Sequence, residues 1–526
     1  MKICRPRVAS PGRTRRKRFA VLIVPPKADP SSVAAHFLRV MAHSAKGKAF
    51  VHHGSYSMLC AIFVVIQPTT DHGQRTPKPS LNLIKAKLSK CILCLCRCLF
   101  IVIAGAALNL NAGTAWALVG DTESTFGLDG RLSSTNLFID NYDFEPFFGD
   151  SNTDQTSQNV LRLIAAGRPT EQLNYEVHGV QSYTYSTTRQ KTGASILGTS
   201  GTDTRYRALD ATWDWYKASK SSASLWLDRF NLKANLAKVD IIAGRQPITF
   251  GKAYFWNPLD IFLPFDPRQF DRDYKAGVDA LRMDITLGTF SGINLIGVAG
   301  RELDYSGKYV DHGTLNASWY GSSLIARTFT TLHNWDLAIQ GGKIYGGYQL
   351  GGGLVGEIGP VEARAEAAYF WAEDSESLPS PLEGDLVEDS FTGVVGFGHR
   401  FENTLTVEIE HFYNGAGDSN DLDASFVRFA SGNILQMSRD VTGFLISYEF
   451  IPIITGQFTA LYSWEDPSAQ IQPILTWSVS NNTELILGAS INFGDRPTQD
   501  SSGEVKLRSE FGTFPDFYFM EFKLYF

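Results

Sequence analysis

The chain has 526 residues, a formal net charge of −6, 44% hydrophobic residues and a mean hydropathy of −0.11. This average is too polar for a bundle of membrane helices, but it suits a membrane β-barrel, whose strands alternate apolar and polar side chains. The charge is uneven, because residues 1–117 hold 18 of the 48 Lys and Arg but only 2 of the 54 Asp and Glu. The other 30 basic and 52 acidic residues make residues 118–526 acidic, which argues against binding to nucleic-acid phosphates.

Residues 1–80 carry no pattern that predicts a packed fold. Arg15-Arg16 invites a twin-arginine export interpretation, and the surrounding basic run could also be a nucleic-acid patch. The apolar run after it stops at Pro25-Pro26, which is too short for an export signal. Our hypothesis is that translation starts near residue 81, so that residues 1–80 are a non-native or disordered extension.

Residues 81–117 have the organisation of a secretory signal peptide. Lys85, Lys87 and Lys90 precede an apolar stretch from Cys91 to Leu108, and small residues occupy the A-x-A positions that end at Ala117. We expect cleavage after Ala117 and export through the inner membrane. A transmembrane helix is the alternative, but the small-residue exit and the missing stop-transfer pattern disfavour it.

All six cysteines precede residue 117. A cysteine-free remainder suits a protein exported to an oxidising compartment. The cluster Cys91, Cys94, Cys96 and Cys98 has metal-like spacing, but it lies in an apolar run without His partners. We therefore predict no metal and no cofactor.

From residue 118 onward the chain alternates apolar and polar residues in short runs. In 361–371 the odd positions are apolar and end in Tyr369 and Trp371, and 281–287, 405–410, 444–450 and 485–493 repeat this pattern. The runs are long enough to cross a membrane as tilted strands. Alternation also suits a soluble sandwich, but aromatic run ends and connections that alternate between short and long favour a barrel. The predicted fold is all-β, a transmembrane antiparallel β-barrel with long external loops and short periplasmic turns.

The pattern gives about 18 strands, with 16 possible. The predicted strand starts are near 156, 171, 204, 223, 239, 277, 291, 315, 334, 347, 361, 390, 404, 441, 456, 470, 483 and 516. Residues 118–150 are either another strand or a periplasmic lead-in. The turn pattern also indicates that a strand is missed or split between 171 and 236, or that the strands are miscounted near Gly351-Gly352-Gly353. The barrel as a whole is predicted to occupy residues 118–526.

The last predicted strand ends the chain at Phe526. Tyr518, Met520, Phe522 and Leu524 alternate with Glu521, Lys523 and Tyr525. The segment resembles the terminal strand of Gram-negative outer-membrane barrels, which ends in Phe and is read by the barrel-assembly machinery. This resemblance implies that Phe526 is an assembly signal; an ordinary edge strand is the alternative.

The most distinctive segment begins at Gly244-Arg245-Gln246 and continues through a loop rich in Pro and aromatic residues. So many aromatic side chains, among them Phe255, Trp256, Phe262, Phe265 and Phe270, should not lie free in water. We predict that this loop folds inward and constricts the pore, with Trp256, Asn257, Asp260, Phe265, Asp266, Arg268 and Arg272 as constriction-loop residues.

The Gly-Arg-Gln strand and the returning strand up to Arg282 resemble the alginate-export-like outer-membrane porins, over about residues 205–290. The resemblance implies a porin barrel. The Asn257–Asp260 and Asp266–Pro267 segments fall outside it, so that it implies an architecture rather than a substrate. A structural β-bulge with Arg245 paired inside the wall is the alternative explanation of Gly-Arg-Gln.

The same alternation predicts which side chains face water inside the barrel. Both signs of charge occur among these predicted pore-lining residues: Asp210, Asp214, Arg229, Lys233, Arg282, Asp284, Glu362, Arg364, Glu366, Glu408 and Glu410. Opposed charges tune the selectivity of a pore, and this mixture does not favour a polyanion.

These patterns predict a porin-type channel of the outer membrane, for passive transport or export of small polar solutes or oligosaccharides. Its predicted partners are membrane lipid, the assembly machinery and the solute. An adhesin or structural barrel is the alternative. An enzyme is disfavoured because the sequence has no Gly-x-Ser-x-Gly, and His411 beside Glu410 is explained by its place on the apolar face.

Overall fold

The computed structural model describes residues 119–120, 124–140, 153–187, 205–304, 317–373, 376–499 and 505–526. The predicted extension (1–80) and signal peptide (81–117) lie outside these residues and stay predictions. Within the described part of the chain, no helix is long and apolar enough to cross a membrane.

Eighteen strands pair antiparallel, each with the next, and the last pairs with the first to close the barrel. This confirms the prediction of an antiparallel barrel of about 18 strands. The strands are β1 (Gly127–Asp140), β2 (Thr153–Thr170), β3 (Leu173–Ser186), β4 (Ser221–Asn235), β5 (Val239–Gln246), β6 (Val278–Gly288), β7 (Ser291–Val298), β8 (Ser323–Leu332), β9 (Trp335–Ile344), β10 (Gly347–Ile358), β11 (Val361–Ala372), β12 (Ser390–Arg400), β13 (Thr406–Asn414), β14 (Asp440–Ile451), β15 (Ile454–Ser463), β16 (Ala469–Ser480), β17 (Thr483–Phe493) and β18 (Asp516–Tyr525).

The alternation of the sequence separates the two faces of this sheet. In β11, Tyr369 and Trp371 are exposed on the outer face, whereas Arg364 and Glu366 are buried on the inner face. Exposed aromatic residues recur near both ends of the outer surface: Tyr348, Tyr369, Trp371, Phe391, Tyr413 and Trp464 near one end, and Phe290, Phe397, Phe401, Phe450 and Trp477 near the other. Such paired girdles mark the two interfaces of a membrane.

One end of the barrel carries β-turns and the other carries most of the long connections. Short turns follow every even-numbered strand from β2 to β16, and His333 and Asn334 have the positive φ values, 50° and 65°, of a two-residue hairpin turn. The opposite end carries the long connections 247–277, 415–439 and 494–515, and also two short ones, 345–346 and 464–468. We call these the periplasmic and external ends, following the predicted topology.

The closing seam between β1 and β18 extends beyond the strands. The N–H of Phe526 donates to the carbonyl of Gly130 at 2.9 Å, and the N–H of Gly130 donates to the carbonyl of Phe526 at 2.6 Å. The Phe526 ring covers Gly130 so closely that a Cβ at Gly130 would lie 2.4 Å from it. A side chain at this position would therefore have to displace the Phe526 ring from the seam.

Two differences from the predicted strands cancel in the count. Residues 118–150, which the sequence left open between a strand and a periplasmic lead-in, contain the barrel strand β1, whereas the strand predicted near 204 does not cross the wall. The short strand Thr212–Lys217 pairs only with the external half of β4, and β5 pairs with the periplasmic half of the same edge. The alternation predicted near 204 therefore belongs to the short strand Thr212–Lys217, which completes the wall on the external side of the short β5.

The external connections carry one α-helix in the described residues, α1 (Leu422–Ala430). Asp421 caps it by accepting a hydrogen bond from the N–H of Ala424 at 3.2 Å. The helix packs on the connection between β11 and β12 through a cluster that contains Leu378, Leu386 and Val387. The external connections thus form a packed layer rather than separate loops.

Candidate functional site

Residues 247–277, which join β5 to β6, form a segment that we call the inner loop. Its Asp271 pairs with Arg131 on β1, and its Pro258 carbonyl accepts a hydrogen bond from Gln349 on β10. Because β1 and β10 are nine strands apart in a ring of eighteen, these two contacts lie on opposite walls. A segment that reaches both walls must cross the bore of the barrel.

One wall holds the inner loop through its backbone. The carboxylate of Glu410 on β13 accepts hydrogen bonds from the N–H groups of Tyr254 and Phe255, the latter at 2.7 Å. The guanidinium of Arg364 on β11 forms an ion pair with this carboxylate, with Nε 2.6 Å from Oε1, and also pairs with Glu408. Hydrogen bonds from N–H groups to a carboxylate are stronger than those between neutral groups. The wall thus presents a positioned acceptor to two loop amides.

Glu366 on β11 acts in the same way. Its carboxylate accepts from the N–H groups of Lys252, Ala253 and Leu259, the last two at 3.3 Å each. The relative exposure of Glu366 is 3% and that of Glu410 is 0%, so neither depends on water to satisfy its oxygens. We call Glu366 and Glu410 the carboxylate anchor.

Apolar packing accompanies the carboxylate anchor. The indole of Trp256 stacks on the ring of Phe412 with centroids 5.4 Å apart and planes at 9°. The ring of Phe255 lies over Gly443 of β14, where a Cβ would approach it to 2.6 Å. A residue with a side chain at Gly443 would therefore displace the loop from this wall.

The opposite wall holds the inner loop through its side chains. Arg131 on β1 pairs with Asp271 at 2.7 Å and with Asp273 at 2.5 Å. Lys523 on β18 reaches the same two carboxylates at 3.0 and 2.8 Å, and the hydroxyl of Tyr525 donates to Asp273 at 2.9 Å. We call Asp271 and Asp273 with Arg131 and Lys523 the ionic anchor.

Between the anchors the inner loop is held by its own side chains. Lys275 and Asp260 form a buried ion pair at 2.5 Å, and burial nevertheless raises the pKa of Asp260 to about 6. Arg272 donates to the carbonyls of Asp266 and Pro267, at 3.2 and 3.1 Å. These contacts give the loop a compact fold inside the bore.

A β-bulge in β4 adds charge to the inner face near the inner loop. The register of β3 against β4 shifts between His178 and Gly179, so that Asp228 is the extra residue. Asp228 binds Arg162 and Arg207, both at 2.7 Å, while the next residue, Arg229, pairs with Glu176 at 3.0 Å.

An aromatic ring of the inner loop lies among these cations. The guanidinium groups of Arg162 and Arg131 lie 4.3 and 5.0 Å from the centroid of the Tyr274 ring. This is the distance range of cation–π contacts.

Arg245, from the distinctive Gly-Arg-Gln sequence, is tied into the wall. Its guanidinium pairs with Asp279 at 2.6 Å and donates to the carbonyls of Leu227 and Leu209. Arg245 is only 1% exposed. It lies opposite the point on β4 at which the pairing partner changes from β5 to the short strand that begins at Thr212. These contacts agree with an Arg paired inside the wall, although the register of β5 against β6 is continuous and has no bulge at Arg245.

The predicted pore-lining residues divide into two groups. Nine lie on barrel strands and form ion pairs or loop contacts; Lys233 pairs with Asp240 and Arg282 with Asp284, both at 2.8 Å. Asp210 and Asp214 lie at the short strand Thr212–Lys217, which does not cross the wall as the strand predicted near 204 would, and their place in the pore lining stays a prediction. Asp210 accepts from the N–H of Thr212, and Asp214 accepts from the Ser224 hydroxyl.

All seven predicted constriction-loop residues belong to the inner loop. Trp256 and Asp260 are buried at its contacts, the carbonyl of Asn257 accepts from the Asp260 N–H at 3.0 Å, and Phe265 is half-buried. Arg268 pairs with Asp266 at 2.5 Å and lies over the ring of Phe514.

The ionic anchor was not among the predicted site residues. Alternation in the terminal strand already placed Lys523 on the polar face, which was the available signal. Arg131 was not assigned to a face because residues 118–150 were left open between a strand and a periplasmic lead-in. Among the described residues, no group of three or more His, Cys, Asp or Glu has the arrangement of a metal site.

No protein-family model matches the sequence, and no curated protein matches it either. Solved structures similar to this chain include Acinetobacter baumannii OccAB1, at 7% identity over 78% of this chain and 99% of that one, with a TM-score of 0.47. A BenF-like porin from Pseudomonas fluorescens Pf-5 is 9% identical over 77% of this chain and 99% of that one, with a TM-score of 0.45. Pseudomonas aeruginosa OpdK with vanillate is 11% identical over 76% of this chain and 98% of that one, with a TM-score of 0.44. Likeness at this level carries no argument about this chain, whose barrel rests on its own strand pairings.

Proposed function

We propose that the protein is a porin-type channel of the outer membrane, which passes small polar solutes or oligosaccharides passively. The observation that carries this proposal is a closed barrel with an apolar outer surface and a charged inner surface that water reaches. Glu362 on the inner face and Lys252 on the inner loop each have 51% of their side chain exposed. Charged groups with this exposure require contact with water, for Glu362 at the periplasmic end of β11 and for Lys252 on the inner loop.

The charges of the inner face do not favour solutes of one charge sign over the other. Positive and negative side chains alternate as neutralised pairs, as in Lys233–Asp240 and Arg282–Asp284. A channel for a polyanion would need an excess of positive charge along its path. The resemblance to alginate-export-like porins therefore enters this proposal as an architecture and not as a substrate.

Location and assembly are part of the same proposal. The signal peptide over 81–117 would deliver the chain across the inner membrane, and the assembly machinery would read Phe526. We expect mass spectrometry of the purified protein to find Leu118 at the amino terminus and no peptide from residues 1–80. Deletion of Phe526 should reduce insertion, because it removes the proposed assembly signal. It also removes the two seam hydrogen bonds with Gly130. Normal insertion without Phe526 would contradict its role as the signal.

Single-channel conductance in planar bilayers tests the channel directly. Because residues 118–526 contain no cysteine, Lys252→Cys introduces a single thiol in the inner loop. A charged, water-soluble thiol reagent should reduce the conductance of this variant by occupying the bore. Leu281→Cys is the matched control, since Leu281 is exposed on the outer face and should not react once it is in lipid.

The same measurement separates the channel from an adhesin or structural barrel. A barrel with either of those functions would insert normally and give no conductance, and liposomes containing it would not swell in any polar solute. That combination of results would reject the channel and leave the alternative.

A further inference from the structure

Glu510, on the connection between β17 and β18, is a buried carboxylate surrounded by hydrogen-bond donors. It is 1% exposed. Its Oε2 accepts from the N–H of Ser438 at 2.8 Å, and its Oε1 accepts from the N–H of Met437 at 3.1 Å and from the side-chain amide of Gln436. All three donors belong to the connection between β13 and β14. One carboxylate thus fastens two external connections to each other.

The same hydrogen bonds continue into the bore. Gln436 uses its amide nitrogen on Glu510 and its amide oxygen, Oε1, on Nε1 of Trp256 at 3.0 Å. Trp256 belongs to the inner loop and stacks on Phe412 of the wall. The order Trp256, Gln436, Glu510 has a direction, because the indole can only donate and the carboxylate accepts. An ionised Glu510 therefore orients Gln436 to hold Trp256.

The charged surroundings of Glu510 oppose its ionisation. Asp466, on the connection between β15 and β16, accepts from the N–H of Glu510 and adds a negative charge beside it. Arg268 of the inner loop is the cation that faces Glu510, but it is already paired with Asp266 and lies over the rings of Phe429 and Phe514. On the same connection as Glu510, Arg508 is two residues away in sequence.

We propose that Glu510 is an acid-sensitive latch, which couples the external connections to the inner loop and loosens Trp256 from the wall when it takes up a proton. This inference rests on the proposed channel function and assigns a regulation to the inner loop of that channel. The expected result of release is a wider or more mobile constriction, and hence a larger mean conductance in acid.

The chemistry of the latch follows from its donors. A proton added to Glu510 needs an acceptor, whereas the NH2 group of Gln436 and the N–H groups of Met437 and Ser438 can only donate. Among these described donors, the Ser438 hydroxyl also bonds to Glu510 and could reverse its role, but it already accepts hydrogen bonds from Ser419 and Ser463. The bond from Gln436 then loses its charge assistance and about half of its strength. Burial, together with the negative charge of Asp466, raises the pKa of Glu510 to about 7. The protonation that weakens the Gln436 bond therefore falls close to neutral pH.

The test is single-channel conductance of the full chain against pH, for the wild type and three variants. A group with a pKa of about 7 is roughly nine-tenths ionised at about pH 8 and a few per cent ionised at about pH 5.5. We expect the wild-type conductance to rise across this range. Glu510→Gln is neutral throughout, so that at about pH 8 it should conduct like the wild type in acid, with no midpoint.

Two further variants distinguish the latch from a general effect of charge. Asp466→Asn removes the neighbouring charge and should shift the midpoint to lower pH. Glu383→Gln, at an exposed residue of the connection between β11 and β12, removes the same charge and should leave the midpoint unchanged. An unchanged midpoint in Glu510→Gln, or equal shifts in Asp466→Asn and Glu383→Gln, would overturn the latch.

Hydrogen exchange tests the latch without requiring conduction. The amides of Met437 and Ser438 should lose protection in the wild type between about pH 8 and pH 5.5, relative to Glu510→Gln at each pH. If no form conducts but this difference is found, the proposed function fails and the latch stands. If conduction is normal and the amides behave identically in both proteins, the latch fails and the proposed function stands.

Discussion

The two anchors of the inner loop use opposite chemistry. At the carboxylate anchor the wall supplies the charged groups, Glu366 and Glu410, and the loop supplies only backbone N–H groups. At the ionic anchor the loop supplies the side chains of Asp271 and Asp273 to cations of the wall. The first anchor therefore constrains the path of the loop but not its local sequence, and the second requires two specific loop residues.

The anchors also differ in their access to water. Glu366 and Glu410 are 3% and 0% exposed, whereas the side chains of Asp271 and Asp273 are 15% and 34% exposed. Arg131 and Lys523 are themselves 6% and 3% exposed, so water reaches the ionic anchor through its carboxylates. Water and salt can replace part of an ion pair at such a partly exposed carboxylate, but they cannot satisfy an N–H group in a dry site. The comparison indicates a loop that is fixed at one wall and releasable at the other.

The largest effect is expected for Glu410→Ala. This change leaves the buried N–H groups of Tyr254 and Phe255 without an acceptor and removes a partner of Arg364. Breaking a buried charge network in this way should lower the free energy of unfolding by about 3–5 kcal/mol. Urea titration of the protein refolded in phospholipid vesicles measures this loss in the free energy of unfolding.

Glu449→Ala is the matched control for that variant. Glu449 pairs with Arg400 at 2.7 Å, but both side chains are exposed. A pair of this kind contributes about 0–1 kcal/mol. Equal losses in the two variants would show that burial does not distinguish the carboxylate anchor from a surface ion pair.

A smaller effect is expected for Asp271→Asn at the ionic anchor. Asparagine keeps the shape and an acceptor oxygen, and Arg131 and Lys523 retain Asp273 as a partner. We expect a loss of about 1–2 kcal/mol in the free energy of unfolding, together with larger fluctuations of the open-channel current.

Asp240→Asn separates this effect from a loss of charge in the bore. Asp240 also pairs with a wall cation, Lys233, although this pair is more exposed than the pairs of Asp271, and it does not involve the inner loop. We expect its current fluctuations to match those of the wild type. Greater fluctuations in Asp240→Asn than in Asp271→Asn would contradict a releasable ionic anchor.

The sequence predicted the architecture well because alternation reports directly on burial. Tyr369 and Trp371 on one face of β11, and Arg364 and Glu366 on the other, follow from a period of two residues without any knowledge of their neighbours. The same rule did not reveal that the strand near Asp210 and Asp214 pairs with only half of β4, because such a strand has the same alternation as one that crosses the wall. Pairing partners, not periodicity, decide which strands close a barrel.

The two anchors show why the site was harder to predict. Alternation places Glu366 and Glu410 on the inner face, but it cannot reveal that their partners are backbone N–H groups of residues more than a hundred positions earlier. The bulge at Asp228 likewise changes which residues of β4 face inward, and nothing local in the sequence marks it. Contacts that depend on the path of the inner loop required the structure.

The smallest effect is expected for Lys252→Ala, and it tests the distinction between the anchors most directly. Lys252 belongs to the carboxylate anchor through its N–H, which alanine retains, while its side chain is 51% exposed and 3.7 Å from Asp336. A surface substitution of this kind should change the free energy of unfolding by no more than about 0.5 kcal/mol. A loss as large as that of Asp271→Asn, in the same urea titration, would mean that both anchors depend on loop side chains. The inner loop would then be held in the same way at both walls, and no end of it would be the fixed one.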